Sequence, residues 1–427
     1  MKVVHRTDES YAHSLDTRDP LSQYRERFFI NPNEIYMDGN SLGLLSVDAE
    51  ASLLRVVDEW KRLGINGWMM AEKPWFTYAE ELARRSAPLV GAESDEVVLH
   101  ASTTVNIHTL IATFYSPHRE RKKILIEKNA FPTDRYAVQS QLKLNGFDAE
   151  RNLKEVAYQE NGFLDEGDII NAMTGDVALI FLPSVLYRSG QLLDIARLAG
   201  EARKRGIVIG FDCSHSAGAV PHFLSDWQVD FATWCTYKYC NSGPGGVAGL
   251  YVNKKHFSKE PALTGWFGCA KEKQFDMRFE FEPAIGAGGW QTGTPHILSL
   301  APLEGSLRII DEAGMPAIRS KSLQLTDYMM FLADNELVQF GFEIGTPLEA
   351  ERRGGHVALK HPDAIQINEA LKANGIVPDF RSPNIIRLAP VPLYNAFHDV
   401  WQAIGAIVKI METKEYLYYG RERGIVA

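Results

Sequence analysis

The stretch Ile207-Val-Ile-Gly-Phe-Asp-Cys-Ser-His215 ends an apolar run on a carboxylate. Twenty-six residues after Asp212, a lysine sits between two tyrosines in Trp234-Cys-Thr-Tyr-Lys-Tyr-Cys-Asn-Ser-Gly-Pro-Gly-Gly246. Together they point to pyridoxal phosphate (PLP), an electron sink held on a lysine as a Schiff base, whose ring nitrogen stays protonated above an ionised carboxylate. Lys238 is the expected attachment point and Asp212 the expected partner of that nitrogen.

Working outward, the runs Lys123-Ile-Leu-Ile-Glu127, Val177-Ala-Leu-Ile-Phe-Leu182, Ile207 to Asp212, Asp230-Phe-Ala-Thr-Trp-Cys235 and Val247-Ala-Gly-Leu-Tyr-Val252 alternate with amphipathic segments. This is the pattern of an α/β domain on a mostly parallel sheet. Between two of the runs, Ile195, Leu198, Ala199 and Ala202 share one helical face, and Gly206 supplies a stop. A strand-helix-strand unit therefore carries Asp212 to the carboxyl end of its strand, the edge where open α/β sheets bind ligands. Ser102-Thr-Thr-Val-Asn106, ahead of Ile107, Leu110, Ile111 and Phe114, reads as a capped helix start with free amides for a phosphate.

Past Thr294-Pro-His296 the character changes to a long amphipathic helix over 298–335, short strands near 338–344 and 384–388, and helices near 363–374 and 394–412. The expected organisation is an N-terminal arm with a helix (1–35), a large PLP-binding α/β domain (36–297) and a smaller α+β domain (298–427).

A chain of 427 residues, 45% of them hydrophobic, can bury a sizeable core. A net charge of -9 argues against a nucleic-acid surface. The opening residues lack the apolar run of a secretory signal, and no stretch of about 18 apolar residues spans a bilayer, so a cytoplasmic protein without membrane contact is expected. The spacing of Cys213, Cys235, Cys240 and Cys269 fits neither a zinc motif nor a disulfide scaffold, and free thiols with no metal site are expected.

Each candidate has a plainer reading. Lys238 departs from an ordinary surface lysine because apolar chain precedes it and a glycine-rich turn follows. Asp212 is either a cofactor partner or a helix cap, and His215 either orients that carboxylate, touches the cofactor or is a satisfied buried histidine. In Phe131-Pro-Thr-Asp134 the ring either stacks on a pyridine or packs under a proline turn. Arg387, inside the apolar Asn384-Ile-Ile-Arg-Leu-Ala-Pro390, binds an anionic ligand in two-point fashion or makes a structural ion pair.

With these pieces assembled, the chain resembles the kynureninase family, fold type I PLP enzymes related to the aminotransferase class that includes cysteine desulfurases. The resemblance covers nearly the whole chain, through Tyr36-Met-Asp-Gly-Asn-Ser-Leu-Gly-Leu44, Lys73-Pro-Trp75, Thr104-Val-Asn-Ile-His108, Phe131 to Asp134, Asp230 to Tyr239, Gly265-Trp-Phe-Gly268 and Ala389-Pro-Val-Pro-Leu-Tyr-Asn395. It implies a Schiff base on Lys238, a ring-nitrogen pair with Asp212, His215 beside it, and Phe131 stacked on the ring. Thr103, Thr104, Thr133, Asp134 and Tyr237 would contact phosphate or ring, with Trp266 and Thr294 reaching the phosphate from the second subunit of a homodimer whose active sites lie at the interface. Arg387 would bind the substrate's α-carboxylate, with Asn40, Ser41 and Trp68 also on the substrate side.

The implied reaction is hydrolysis of L-kynurenine to anthranilate and L-alanine, with Lys238 as base and Tyr237 as candidate acid. Two positions depart from the animal form of the family. Trp68 follows Gly67 where that form has histidine, and Thr294 precedes Pro295-His296 where it has asparagine. Losing hydrogen-bonding groups for a ring hydroxyl implies preference for L-kynurenine over its 3-hydroxy derivative. A cysteine desulfurase or selenocysteine lyase is the competing reading, but it needs a mobile catalytic cysteine that none of the four cysteines offers. A phosphate contact near Pro183 or Ser184 is not assigned by the resemblance.

Overall fold

The computed structural model describes residues 5–422. Seven strands form the central sheet: β1 (Val97–Leu99), β2 (Lys123–Glu127), β3 (Leu153–Val156), β4 (Val177–Pro183), β5 (Val208–Asp212), β6 (Phe231–Trp234) and β7 (Gly249–Val252). Their order is β1-β7-β6-β5-β4-β2-β3, and only β7 runs against its neighbours. The expected mostly parallel α/β sheet is present.

Its strands read as near-continuous apolar runs because both faces are covered. Leu125, Ile180 and Leu182 face one core, while Ile124, Ile126, Leu179 and Phe181 face the other. Truncating a side chain as deeply placed as Phe181 to alanine costs about 3–5 kcal/mol. The helices start where the sequence provides caps: Ser102 Oγ accepts from Val105 N ahead of Thr103–Phe114, and Asp194 accepts from Arg197 N ahead of Ile195–Lys204.

The second sheet comprises β8 (Glu343–Ile344), β9 (Val357–Lys360), β10 (Asp379–Arg381) and β11 (Ile385–Leu388), antiparallel in the order β10-β11-β9-β8. It packs with helices Met315–Glu336, Ala364–Ala373 and Phe397–Thr413 around a separate core.

Three local expectations are corrected. The single helix over 298–335 is two helices, Ile297–Ala313 and Met315–Glu336, broken at Gly314, whose φ of 76° is open to glycine, with Pro316 starting the next turn. The strand over 338–344 shrinks to Glu343–Ile344 because Val338–Phe340 closes into a 3-10 turn at Gly341, φ 87°. Leu300, Leu307 and Ile318 pack with the large sheet, so its core continues beyond residue 297.

The N-terminal arm joins the second body. Ala12 and Met37 lie in that core, Asp16 accepts from the backbone N–H groups of Phe397 and His398, and buried Asp19 pairs with buried Lys321 at 2.6 Å. Met1 to Val4 of the expected arm lie outside the described residues.

Candidate active site

Parallel register ends three strands in one layer, pairing Pro183 with Asp212 and Asp212 with Thr233. Lys238 follows β6 by four residues, so the chain reaches the same edge as Asp212. Helix Pro132–Leu144 starts just after β2, with proline at its first position, and brings Phe131, Thr133 and Asp134 to that edge. From the second sheet come Arg381 and Arg387. Between the two bodies lies a cavity of about 310 Å³.

Most of the expected site residues line this cavity: Asn40, Ser41, Thr103, Thr104, Phe131, Thr133, Asp134, Asp212, His215, Tyr237, Lys238 and Arg387. Lys238 Nζ lies 3.0 Å from His215 Nε2 and 5.9 Å from the centre of the Phe131 ring. Burial, with the Lys238 charge second, pushes the His215 pKa well below its ordinary value, so the imidazole is neutral and can accept a hydrogen bond from Lys238 Nζ.

Asp212 Oδ1 accepts from Ser214 N at 2.8 Å, which fixes the carboxyl plane. Burial raises its pKa, and the Lys238 charge opposes that shift. Asp134 is raised well above the carboxylate range by burial, then by Asp212 and Glu127. Glu127 is pushed up to about 7 by burial, with Tyr158 donating to it at 2.9 Å. A concentration of acidic groups beside one lysine is what a cationic ring would neutralise.

The residues fit PLP. Phe131 offers a flat face, 40% exposed, over the lysine. Asp212 would provide a carboxylate for a ring nitrogen, and Asp134 Oδ1 is a buried oxygen with no protein partner. Thr103 and Thr104 begin a 12-residue helix, and Thr104 Oγ1 meets Thr133 Oγ1 at 2.7 Å, gathering hydroxyls and free amides where a phosphate would sit.

Three expected residues lie elsewhere in this chain. Trp68 lies in an apolar groove with Trp60, Ile65, Trp75, Pro295 and His296, its ring edge-on to Trp75 at 6.0 Å. Trp266 is 47% exposed and donates to Gln274 O, and Thr294 is exposed. Ser184 faces the core, bonded to Ser216 Oγ at 2.6 Å, while Pro183 lines the cavity.

Sequence reasoning missed Tyr187, Cys235 and Arg381, which also line it. Cys235 follows β6 directly and its Sγ lies 3.0 Å from Thr103 Oγ1, so the strand end was its signal. Arg387 is a cation in a short apolar strand, whereas Arg381 ends a three-residue strand whose other end is Asp379.

Comparison with known proteins follows this geometry. A model of the kynureninase C-terminal domain matches residues 318–407. Kynureninase from Geobacillus thermodenitrificans (strain NG80-2) is 55% identical over 417 residues, covering 98% of this chain and 97% of the relative. Kynureninase from Shouchella clausii (strain KSM-K16) is 52% identical over 98% of each chain. Among solved structures, the apo cysteine desulfurase from Thermococcus onnurineus NA1 superposes with a TM-score of 0.77 at 18% identity, over 92% of this chain and 98% of that one. That likeness shows the shared fold, and the distance in sequence separates this chain from the desulfurases. Identity above half across almost the full length, on the fold of PLP enzymes and around a lysine and aspartate placed for that cofactor, makes the chain a member of the kynureninase family.

Proposed function

We propose that the Lys238 cavity hydrolyses L-kynurenine to anthranilate and L-alanine with PLP as its cofactor. The observation that carries this reading is the meeting in one cavity of Lys238, Asp212 and Arg387, in a chain of this family. PLP, when bound to Lys238, supplies the electron sink that lets bonds at the substrate's α- and β-carbons break.

The protein's own groups do the rest. Arg387, buried and charged, holds the α-carboxylate and so orients the amino acid. Asp212 holds a proton at the ring nitrogen, and neutral His215 sits against Lys238 Nζ, receiving its hydrogen bond until the amine is needed as a base for the α-proton. Water adds to the side-chain ketone carbon, the bond between the β- and γ-carbons breaks, and anthranilate leaves with the added oxygen. Tyr237 gives a proton to the β-carbon, the added water's released proton restores the phenol, and Lys238 returns a proton to the α-carbon, completing alanine. Burial pushes the Tyr237 phenol up, so it keeps that proton until it is required.

We further propose a homodimer with active sites at its interface. Trp60, Ile65, Met69 and Met70 are 59–80% exposed on the same surface as Trp68, an apolar patch of the kind that marks a protein interface. Trp68, Trp266 and Thr294 would then complete the partner's cavity, with Trp266 and Thr294 at the phosphate and Trp68 on the aromatic ring. Apolar Trp68 supports a preference for L-kynurenine over 3-hydroxykynurenine.

A cytoplasmic location is supported by free Cys213, Cys235, Cys240 and Cys269, and no helix among the described residues is long and apolar enough to cross a membrane. Purified protein should absorb as a PLP enzyme and release fluorescent anthranilate from L-kynurenine, with a higher kcat/KM than for the 3-hydroxy compound. A colourless protein inert with added PLP would overturn the central reading, and equal or reversed kcat/KM values the specificity.

A further inference from the structure

The part of the cavity wall supplied by the second sheet holds a charged unit whose middle member has no role in the reading above. Asp379 on β10 lies directly across the strand pair from Arg387 on β11. Both are buried, Asp379 at 0% exposure and Arg387 at 1%. Nε and Nη2 of Arg387 donate to the same oxygen, Asp379 Oδ2. The other oxygen, Oδ1, lies 2.9 Å from Arg381 Nη1. Arg381 and Arg387 line the cavity, whereas Asp379 stands behind them.

A guanidinium has two edges able to grip a carboxylate, a side edge formed by Nε and one terminal nitrogen and an end edge formed by both terminal nitrogens. Asp379 occupies the side edge. The end edge meets neutral acceptors instead: Nη1 donates to Tyr187 O at 2.6 Å and Nη2 to Ser41 Oγ at 3.3 Å. Ser41 and Tyr187 line the cavity, so the end edge faces the same space. The second acid whose field reaches Arg387, Asp38, is pushed toward its neutral form by burial.

We propose that Asp379 is a positioning residue that joins Arg387 and Arg381 into one carboxylate receptor, turning the end edge of Arg387 toward the substrate. This rests on the assignment of Arg387 to the α-carboxylate. A carboxylate buried between two cations need not stabilise the fold. Here it fixes which face of the guanidinium the cavity sees, and a group misplaced by about 1 Å loses much of its effect on bound substrate.

The test uses the PLP-loaded enzyme and the absorbance change on titration with L-alanine or L-alaninamide, which differ at the carboxylate. Asp379→Glu keeps the charge and displaces the carboxylate. Asp379→Asn with Arg381→Gln removes one acid and one base, which spares the charge balance of the fold. Both variants should keep the cofactor band and lose about tenfold or more of the wild-type preference for alanine, with KM for L-kynurenine rising by a similar factor and kcat changing less than about threefold. A variant that keeps its cofactor and the full preference overturns the proposal. So does failure of both variants to retain cofactor, which makes Asp379 a folding residue. Arg387→Ala separates the two readings: if it too leaves the preference intact, the assignment of Arg387 falls, whereas if it alone abolishes the preference, only the role of Asp379 does.

Discussion

Replacing Gly43 with alanine should slow the enzyme without unfolding it. Gly43 lies beside the lysine loop and donates its N–H to Tyr237 O at 2.8 Å. A methyl group there would press on the backbone oxygen of Lys238 and the side chain of Asn241, far inside the 3.4 Å at which ordinary contact begins. The Asn241 amide can turn aside, but the carbonyl belongs to Lys238, the residue to which the chemistry is assigned under the proposal. Relief requires about 1 Å of relative movement, and the Gly43–Tyr237 hydrogen bond keeps the two segments from separating freely. A displacement of about 1 Å at a reacting group costs on the order of 100-fold in rate. Stopped-flow or steady-state anthranilate fluorescence would give kcat, with the PLP absorbance band and thermal melting as checks on cofactor and fold. A folded, cofactor-loaded variant with kcat within about threefold of wild type would show that the loop is not held where the structure has it.

Tyr237→Phe should keep PLP and lower kcat by about 100-fold or more, as loss of a general acid does, and an unchanged anthranilate rate removes the phenol from the mechanism. Glu127 has its pKa raised by burial to about 7, so the folded state binds a proton that the unfolded state gives up near pH 4.5. The stability it contributes is full below that lower value and lost as pH rises through about 7. Melting temperatures of apo Glu127→Gln and wild type should therefore run close at pH 4.5 and separate in the variant's favour by pH 8; parallel curves contradict the assignment. Gly200 sits inside helix Ile195–Lys204 with nothing within 4 Å of an added methyl. Gly200→Ala should stabilise by about 0.5–1 kcal/mol in a denaturant titration with activity unchanged, and a lower midpoint would argue against a regular helix there.

Asp212 and Lys238 were legible because a strand buried on both faces announces its end, and parallel register places successive ends in one layer. Phe131 and Asp134 followed from the same logic two strands away. Arg381 and Asp379 were not legible: in Asp379-Phe-Arg381 a charged pair flanks one apolar residue, which reads as an edge strand exposed on one face, and only the crossing of two bodies makes that face a cavity wall. The helix break at Gly314 was visible as Gly-Met-Pro, but apolar residues on both sides keep helical spacing across it, and periodicity masked the stop. Trp68, Trp266 and Thr294 lie away from the Lys238 cavity in this chain, and the proposed homodimer that would bring them to a site is not encoded by any spacing within one chain.

The segment that seats Ala12 and Met37 in the second core ties chain made early to chain made much later. Met37 shares that core with Met411, so roughly 370 residues must be synthesised between them. At about 5–20 residues per second a nascent chain exposes this apolar segment for about 20–75 s. During that time the sheet body can form around Asp212 and Lys238, but Arg387 has not been made. A fragment ending at residue 380 would carry Lys238 and Asp212 yet lack Arg387, the guanidinium proposed to select an amino acid, and so would present the proposed attachment lysine without that discrimination.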